Sequence, residues 1–244
     1  MSDREELRLI QGGSIGDTLK FLYKQTPAGR AGLLLSGPRK HPTHRFKKFL
    51  EEKKGAKVTS LHIGRKPIIS AVRKALDAIS LGGFSKAKKR LGYTDVYHNY
   101  LVAGLDDGTF HKLERNHIIE HKKATNADFA NDLLDIPVEG KDLTLDKMVK
   151  NAGGDNPDFW VYRGRDNNCQ NFTKDMVEKN GLAPDPHGES IDAYIPQDSK
   201  SMLDTIPKGL KWIPDLVTDI AGGADRATSL VADGFKPKKK RRAK

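Results

Sequence analysis

The sequence predicts an α+β domain in which a small antiparallel sheet packs against a helix that begins at a cysteine, with peripheral helices supplied by the N-terminal region. Three observations carry this reading. Asp95 to Ala103 and Thr109 to Leu113 are β-like runs around Asp107-Gly108, the pattern of a hairpin. Cys169 to about Asn180 places Cys169, Phe172, Thr173, Met176 and Val177 on one helical face, with asparagine before it as a cap and Gly181 to close it. Pro67 to Leu81 sets Ile68, Val72, Ala75, Leu76 and Ile79 opposite Arg73, Lys74 and Asp77, and stops at Gly82-Gly83.

In chain order, a short helix is expected near Asp17 to Lys24, a basic helix over Arg45 to Lys54 and a strand over Lys57 to Ile63, followed by the helix from Pro67. After the hairpin, His117 to His121 extends the second strand. Asn126 to Leu134 and Leu143 to Ala152 read as short helices, Gly153 to Pro157 as a loop, and Phe159 to Tyr162 as a short apolar run before the cysteine helix. Pro184 to Lys200 is polar and proline-rich, hence linker-like. The expected boundaries are a basic extension over 1–55, a folded domain over 56–184, a polar and weakly amphipathic stretch over 185–235, and a basic tail over 236–244.

The chain has 244 residues and one cysteine, which excludes an intramolecular disulfide framework and any zinc site built on several thiolates. No run of about 18 apolar residues occurs, and the opening residues MSDREELRLIQGG lack an apolar stretch. A spanning helix and secretory export are therefore not expected, and the nucleus or cytoplasm is. The net charge of +11 is unevenly placed: residues 36–92 carry sixteen Lys and Arg against Glu51, Glu52 and Asp77, and residues 236–244 carry seven bases and no acid. The remainder is net acidic, so a uniformly basic nucleic-acid binder is a poor description. Like charges with nothing apolar to bury predict an unfolded tail. Its Lys236-Pro237-Lys238-Lys239-Lys240-Arg241-Arg242 run resembles a nuclear-localisation signal read by an import receptor. The alternative is nucleic-acid contact through this tail and residues 36–92.

Cys169 follows Asn167-Asn168, so its thiol falls in the first helical turn, where free N–H groups and the helix dipole favour thiolate. The same amides could bind the oxyanion of a tetrahedral intermediate, with Asn168 and Cys169 as the cap and oxyanion candidates. His98 shares the Val96, Tyr100, Val102 face of its strand and is the candidate base.

His98 within an apolar strand, His111-Lys112-Leu113 in the following strand, and Asn168-Cys169-Gln170-Asn171-Phe172 opening a helix resemble the lecithin:retinol acyltransferase and HRAS-like phospholipase/acyltransferase group. The resemblance covers about residues 93–182, and such proteins also occur in eukaryotic viruses. It implies a circularly permuted, NlpC-type papain-like fold with histidine before cysteine. It also implies Cys169 as nucleophile, His98 as base and His111 as the group orienting the imidazole, without cofactor or metal. A two-residue Asp107-Gly108 turn would pair Asp106 with Thr109 and His98 with His117; a longer loop would change the register, and His117 is the reserve candidate.

The resemblance implies attack on a glycerophospholipid ester through an acyl thioester on Cys169, with transient contact at a phospholipid or membrane surface. The permuted deSUMOylating isopeptidases, which place Asn-Cys-Asn-x-Phe similarly, are the alternative within the same fold. His111 followed by leucine favours lipid. A non-enzymatic scaffold or virion component binding nucleic acid or a partner is the alternative from another class.

Overall fold

The structure is a computed structural model describing residues 40–68, 70–116, 118–130, 132–182, 191–195 and 198–206. The helix expected near Asp17, the reserve candidate His117 and the basic tail lie outside these residues. Five strands form one antiparallel sheet: β1 Val58–Pro67, β2 Tyr97–Leu105, β3 Phe110–Arg115, β4 Ile119–Lys123 and β5 Asp132–Ile136, in the order β4-β3-β2-β1-β5. The α-helices are α1 His44–Glu52, α2 Ser70–Ile79, α3 Gly83–Arg90, α4 Asn126–Phe129, α5 Leu145–Val149, α6 Pro157–Trp160, α7 Cys169–Glu178, α8 Ile191–Tyr194 and α9 Ser199–Leu203, with a π-helical turn Lys150–Gly154 continuing α5. The domain is thus α+β, with a small antiparallel sheet.

The core lies where Leu61, Ile63, Leu101, Ala103 and Leu113 of the sheet meet Phe172, Met176 and Val177 of α7, as the helical face beginning at Cys169 predicts. β1 and β2 are long and central, so their residues carry most of this burial. Tyr100 is fully buried with its ring laid over Gly64 of β1, where a Cβ would come within 2.2 Å of the ring. Only glycine permits that approach.

α1 begins at Thr43, whose hydroxyl accepts from the Phe46 amide at 3.1 Å, and buries Phe46 and Phe49. Phe49 stacks on His121 of β4 with ring centroids 3.7 Å apart. The end of the expected basic extension therefore belongs to the core. So does part of the expected linker: Ile191, Tyr194, Met202, Leu203 and Ile206 are all buried. In α2 the expected apolar face is borne out at Leu76; the side chains of Val72, Ala75 and Ile79 lie outside those described.

Two differences from expectation bear on the site. Asn126 to Leu134 is not one helix: α4 closes after one turn, and Asp132–Ile136 pairs with β1, Leu61 opposite Ile136, satisfying backbone groups that β1 would otherwise leave at an open edge. The β2–β3 hairpin has a three-residue loop, Asp106-Asp107-Gly108, with Gly108 at φ 76° and the Leu105 amide donating to the Thr109 carbonyl at 2.9 Å. This places Tyr100 opposite Glu114 and Ala103 opposite His111. β4 is a separate strand that returns along β3, with the Asn116 amide bonded to the Ile118 carbonyl at the bend. No helix among the described residues is long and apolar enough to cross a membrane.

Candidate active site

Cys169 is the first residue of α7, and the turn before it is held by side-chain amides. Asn168 Oδ1 accepts from the Gln170 and Asn171 amides at 2.8 and 3.3 Å, while Asn171 Oδ1 accepts in return from the Asn168 amide at 3.3 Å. Asn168 Nδ2 donates to the Gly164 carbonyl at 2.8 Å. Asn167 Nδ2 donates to the carbonyls of Asp158 and Val161 at 2.7 and 2.6 Å, and its Oδ1 accepts from Arg115 Nη1. Arg115 is buried from β3 into this turn, with its guanidinium over the rings of Phe159 and Phe172. Burial lowers its pKa to about 10.

These bonds sort the oxyanion candidates. The Asn168 side chain is committed to capping and to Gly164, so it does not serve as an oxyanion donor. The Gln170 and Asn171 amides are taken by Asn168 Oδ1. Among the described residues the Cys169 amide has no backbone acceptor, which leaves it as the first-turn donor open to a substrate oxygen.

The expected pair of Cys169 and His98 forms: the side chains are hydrogen-bonded at the start of β2. Burial works against ionising the thiol, but the neighbouring charge and hydrogen bond of His98, with amide contacts from Asn99 and Gln170, outweigh it and hold the thiol below its ordinary value. Burial likewise would lower the imidazole pKa, yet contacts with Cys169 and Glu114 raise it. Both shifts favour thiolate with imidazolium, a coupled pair that titrates as a unit.

The structure does not bring His111 to His98. Because the loop holds three residues rather than two, the β3 register is displaced by one residue and every β3 side chain changes face relative to the shorter turn. His111 points with Ala103 toward α1, its ring 4.8 Å from that of Phe49 and its Nε2 3.0 Å from Thr109 Oγ1. Burial lowers its pKa, followed in effect by the charge of Lys53. Glu114, opposite Tyr100 and so diagonal to His98 on the same face, is the group beside the imidazole, with Oε2 3.3 Å from His98 Nε2. That contact is close but off the angle of a formed hydrogen bond.

Glu114 is itself anchored. Lys112 and Lys122 place Nζ at 3.4 and 3.3 Å from its two oxygens. Lys112, nearly sealed from solvent, reaches Asp128 at 2.9 Å and lies 4.1 Å from the centre of the Tyr100 ring. Tyr100 Oη donates to the Asp128 carbonyl at 2.9 Å. Burial opposes the ionised carboxylate of Glu114, but His98 first, then Lys112 and Lys66, hold its pKa well below the usual range. The Lys-x-Glu of β3 is thus a buried charge network, whereas charges alternating along a strand ordinarily mark its solvated face. The one signal that could have found it is Asp-Asp-Gly itself, since glycine at the third loop position suits the left-handed residue of a three-residue hairpin.

No protein-family model, curated protein or solved structure matches this chain.

Proposed function

We propose that this chain is a cysteine-dependent acyl hydrolase or acyltransferase with a permuted papain-like fold. The supporting observation is the juxtaposition of a helix-capped Cys169, a hydrogen-bonded His98 and an ion-paired Glu114 in one buried row. The histidine strand precedes the cysteine helix, in the order the resemblance implies.

In the proposed reaction the Cys169 thiolate adds to an acyl carbonyl carbon, and the Cys169 amide receives the developing oxyanion. As the tetrahedral intermediate collapses, the bond to the leaving oxygen or nitrogen breaks and His98 gives it a proton, leaving a thioester on Cys169. Neutral His98 then accepts a proton from water or an amine, which attacks the thioester and releases the thiolate. Glu114 keeps Nε2 of the imidazole turned toward itself, which leaves Nδ1 for sulfur, and it stabilises the imidazolium.

The resemblance offers two acyl donors, a phospholipid ester and an isopeptide. The motif that favoured lipid was His111 followed by leucine, and His111 stands outside the site, so it no longer separates the two. Transient contact with an anionic phospholipid surface, import through Lys236 to Arg242 and nucleic-acid contact through residues 36–92 and 236–244 are proposals resting on charge alone. The test is intact mass after brief incubation with phosphatidylcholine vesicles or with a ubiquitin-like thioester or isopeptide donor, beside Cys169→Ala. A hydroxylamine-labile adduct absent from the variant is expected with one donor class. No adduct with any donor, together with a thiol slow toward iodoacetamide at pH 6, would replace this reading with the non-enzymatic scaffold.

A further inference from the structure

β3 buries two cations, and they differ in what meets them. Lys112 Nζ stands 3.4 Å from Glu114 and 2.9 Å from Asp128. Arg115 is 1% exposed, and among the described residues no carboxylate comes within ion-pair distance of it. Its Nη1 donates to Asn167 Oδ1, while its Nη2 has no hydrogen-bond partner among those residues. The carboxylate that bears on it most, Asp175, stands farther along α7 and is bonded to Lys179 at 3.1 Å. An arginine sealed from solvent ordinarily has its counter-ion beside it.

The position makes the missing partner more costly. The guanidinium meets the start of α7 on both sides of Cys169: Asn167 lies before it, and the ring of Phe172, 5.6 Å from the guanidinium carbon, lies after it. The first turn of a helix already carries partial positive charge, so a cation placed there is repelled. The rings of Phe159 and Phe172 and the bond to Asn167 offset only part of this. Burial accordingly lowers the Arg115 pKa and Arg163 acts in the same sense, while Asp175, Tyr162 and Cys169 act against it.

An anion in the first turn would reverse these costs together. In Cys169-Gln170-Asn171-Phe172 the thiol is the one side chain that can become an anion. Around the sulfur stands His98 of β2, with Glu114 of β3 behind it. Around the guanidinium, which approaches from β3, are Asp175 of α7 and Tyr162 and Arg163 of the loop before it.

We propose that Arg115 is a positioning residue for the nucleophile: its uncompensated charge, set under the first turn of α7, holds Cys169 as thiolate together with His98, and its bond to Asn167 fixes the turn that presents the sulfur. The proposal rests on the reading of Cys169 as the nucleophile. It gives the thiolate a second counter-charge, one that stays constant through the cycle while His98 gains and loses a proton.

The test is the rate of iodoacetamide alkylation against pH in wild type, Arg115→Met, which keeps the bulk and loses the charge, and Arg115→Lys, which keeps the charge and loses the fork. The midpoint in Arg115→Met is expected about one pH unit or more above wild type, slowing the lower part of the profile about tenfold, and Arg115→Lys is expected to recover most of that shift. A merely structural role would lower the urea midpoint of both variants and leave the alkylation midpoint in place, and that result would overturn the proposal, as would equal shifts in the two. A second measurement leaves Arg115 unaltered: its Nε–H resonance is expected to move with the alkylation midpoint in wild type and to stay flat over that range in Cys169→Ala. A resonance indifferent to thiol ionisation overturns the proposal even if neither Arg115 variant folds. Alkylation needs no acyl donor, so these outcomes are separate from the adduct experiment, which judges the acyl-transfer reading.

Discussion

His98 Nε2 and Glu114 Oε2 stand 3.3 Å apart across β2 and β3, each almost sealed from solvent, while His111 lies on the other face of the same sheet. An imidazole held against a buried carboxylate is oriented and made more basic together. Glu114→Gln keeps the shape and removes the charge, so it should lower kcat/KM by about a hundredfold, on the scale of a general base that loses its support. His111→Ala should leave turnover within about threefold, because its neighbours are Phe49 and Thr109. Steady-state kinetics on whichever acyl donor gives the adduct reads both; equal losses would return His111 to the mechanism.

The pH dependence follows from the directions of the two shifts. The thiol of Cys169 ionises below its ordinary range and His98 above its own, so thiolate with imidazolium persists between them. Iodoacetamide should therefore alkylate Cys169 faster than it does a free thiol as pH falls below about 8.5, where a free thiol loses its thiolate. In His98→Ala the imidazolium is gone while burial remains, and the rate should fall steeply below about pH 8.5. Matching profiles in the two proteins would remove the ion pair.

Asn168 holds the helix start with four bonds that occupy both its side-chain oxygen and its side-chain nitrogen. Asn168→Ala should cost about 1 kcal/mol for the cap, with more for the lost Gly164 bond. Urea unfolding should show a lower midpoint at unchanged slope. Asn168→Asp retains the acceptor oxygen and should recover the capping part.

Lys112 joins Glu114, Asp128 and the Tyr100 ring in a space closed to water. Lys112→Met fills that space but leaves two buried carboxylates short of a partner, which should destabilise the fold by about 3–5 kcal/mol at neutral pH. Because carboxylates held below their usual pKa stabilise only when ionised, and lose that stabilisation as pH falls through their folded values, the gap between variant and wild type should narrow toward acid. Chemical denaturation at pH 7 and at about pH 3, below the ordinary range of both carboxylates, measures it.

Much of this could be read directly. Asparagine before Cys169, the apolar face through Val177 and Gly181 beyond it specify α7 locally, and the apolar run with His98 specifies β2. What could not be read depends on pairing. Glu114 becomes a site residue only through its position opposite Tyr100, which the pairing of Leu105 with Thr109 across the turn determines. Leu133 and Leu134 sit in a window with helical spacing, and β5 exists because β1 offers it an edge.

The three residues Asp106, Asp107 and Gly108 therefore govern more than a surface bend. Closing the same sequence over a two-residue Asp107-Gly108 turn would draw Asp106 into the ladder and slide Arg115 into the position opposite Tyr100 that Glu114 now holds, setting a guanidinium beside His98 and sending the carboxylate to the far side of the sheet. An imidazole facing a cation resists its own proton and ceases to support a neighbouring thiolate. Which residues of an unchanged sequence the turn takes at a distant tip is, in this architecture, a switch of sign at the reacting end.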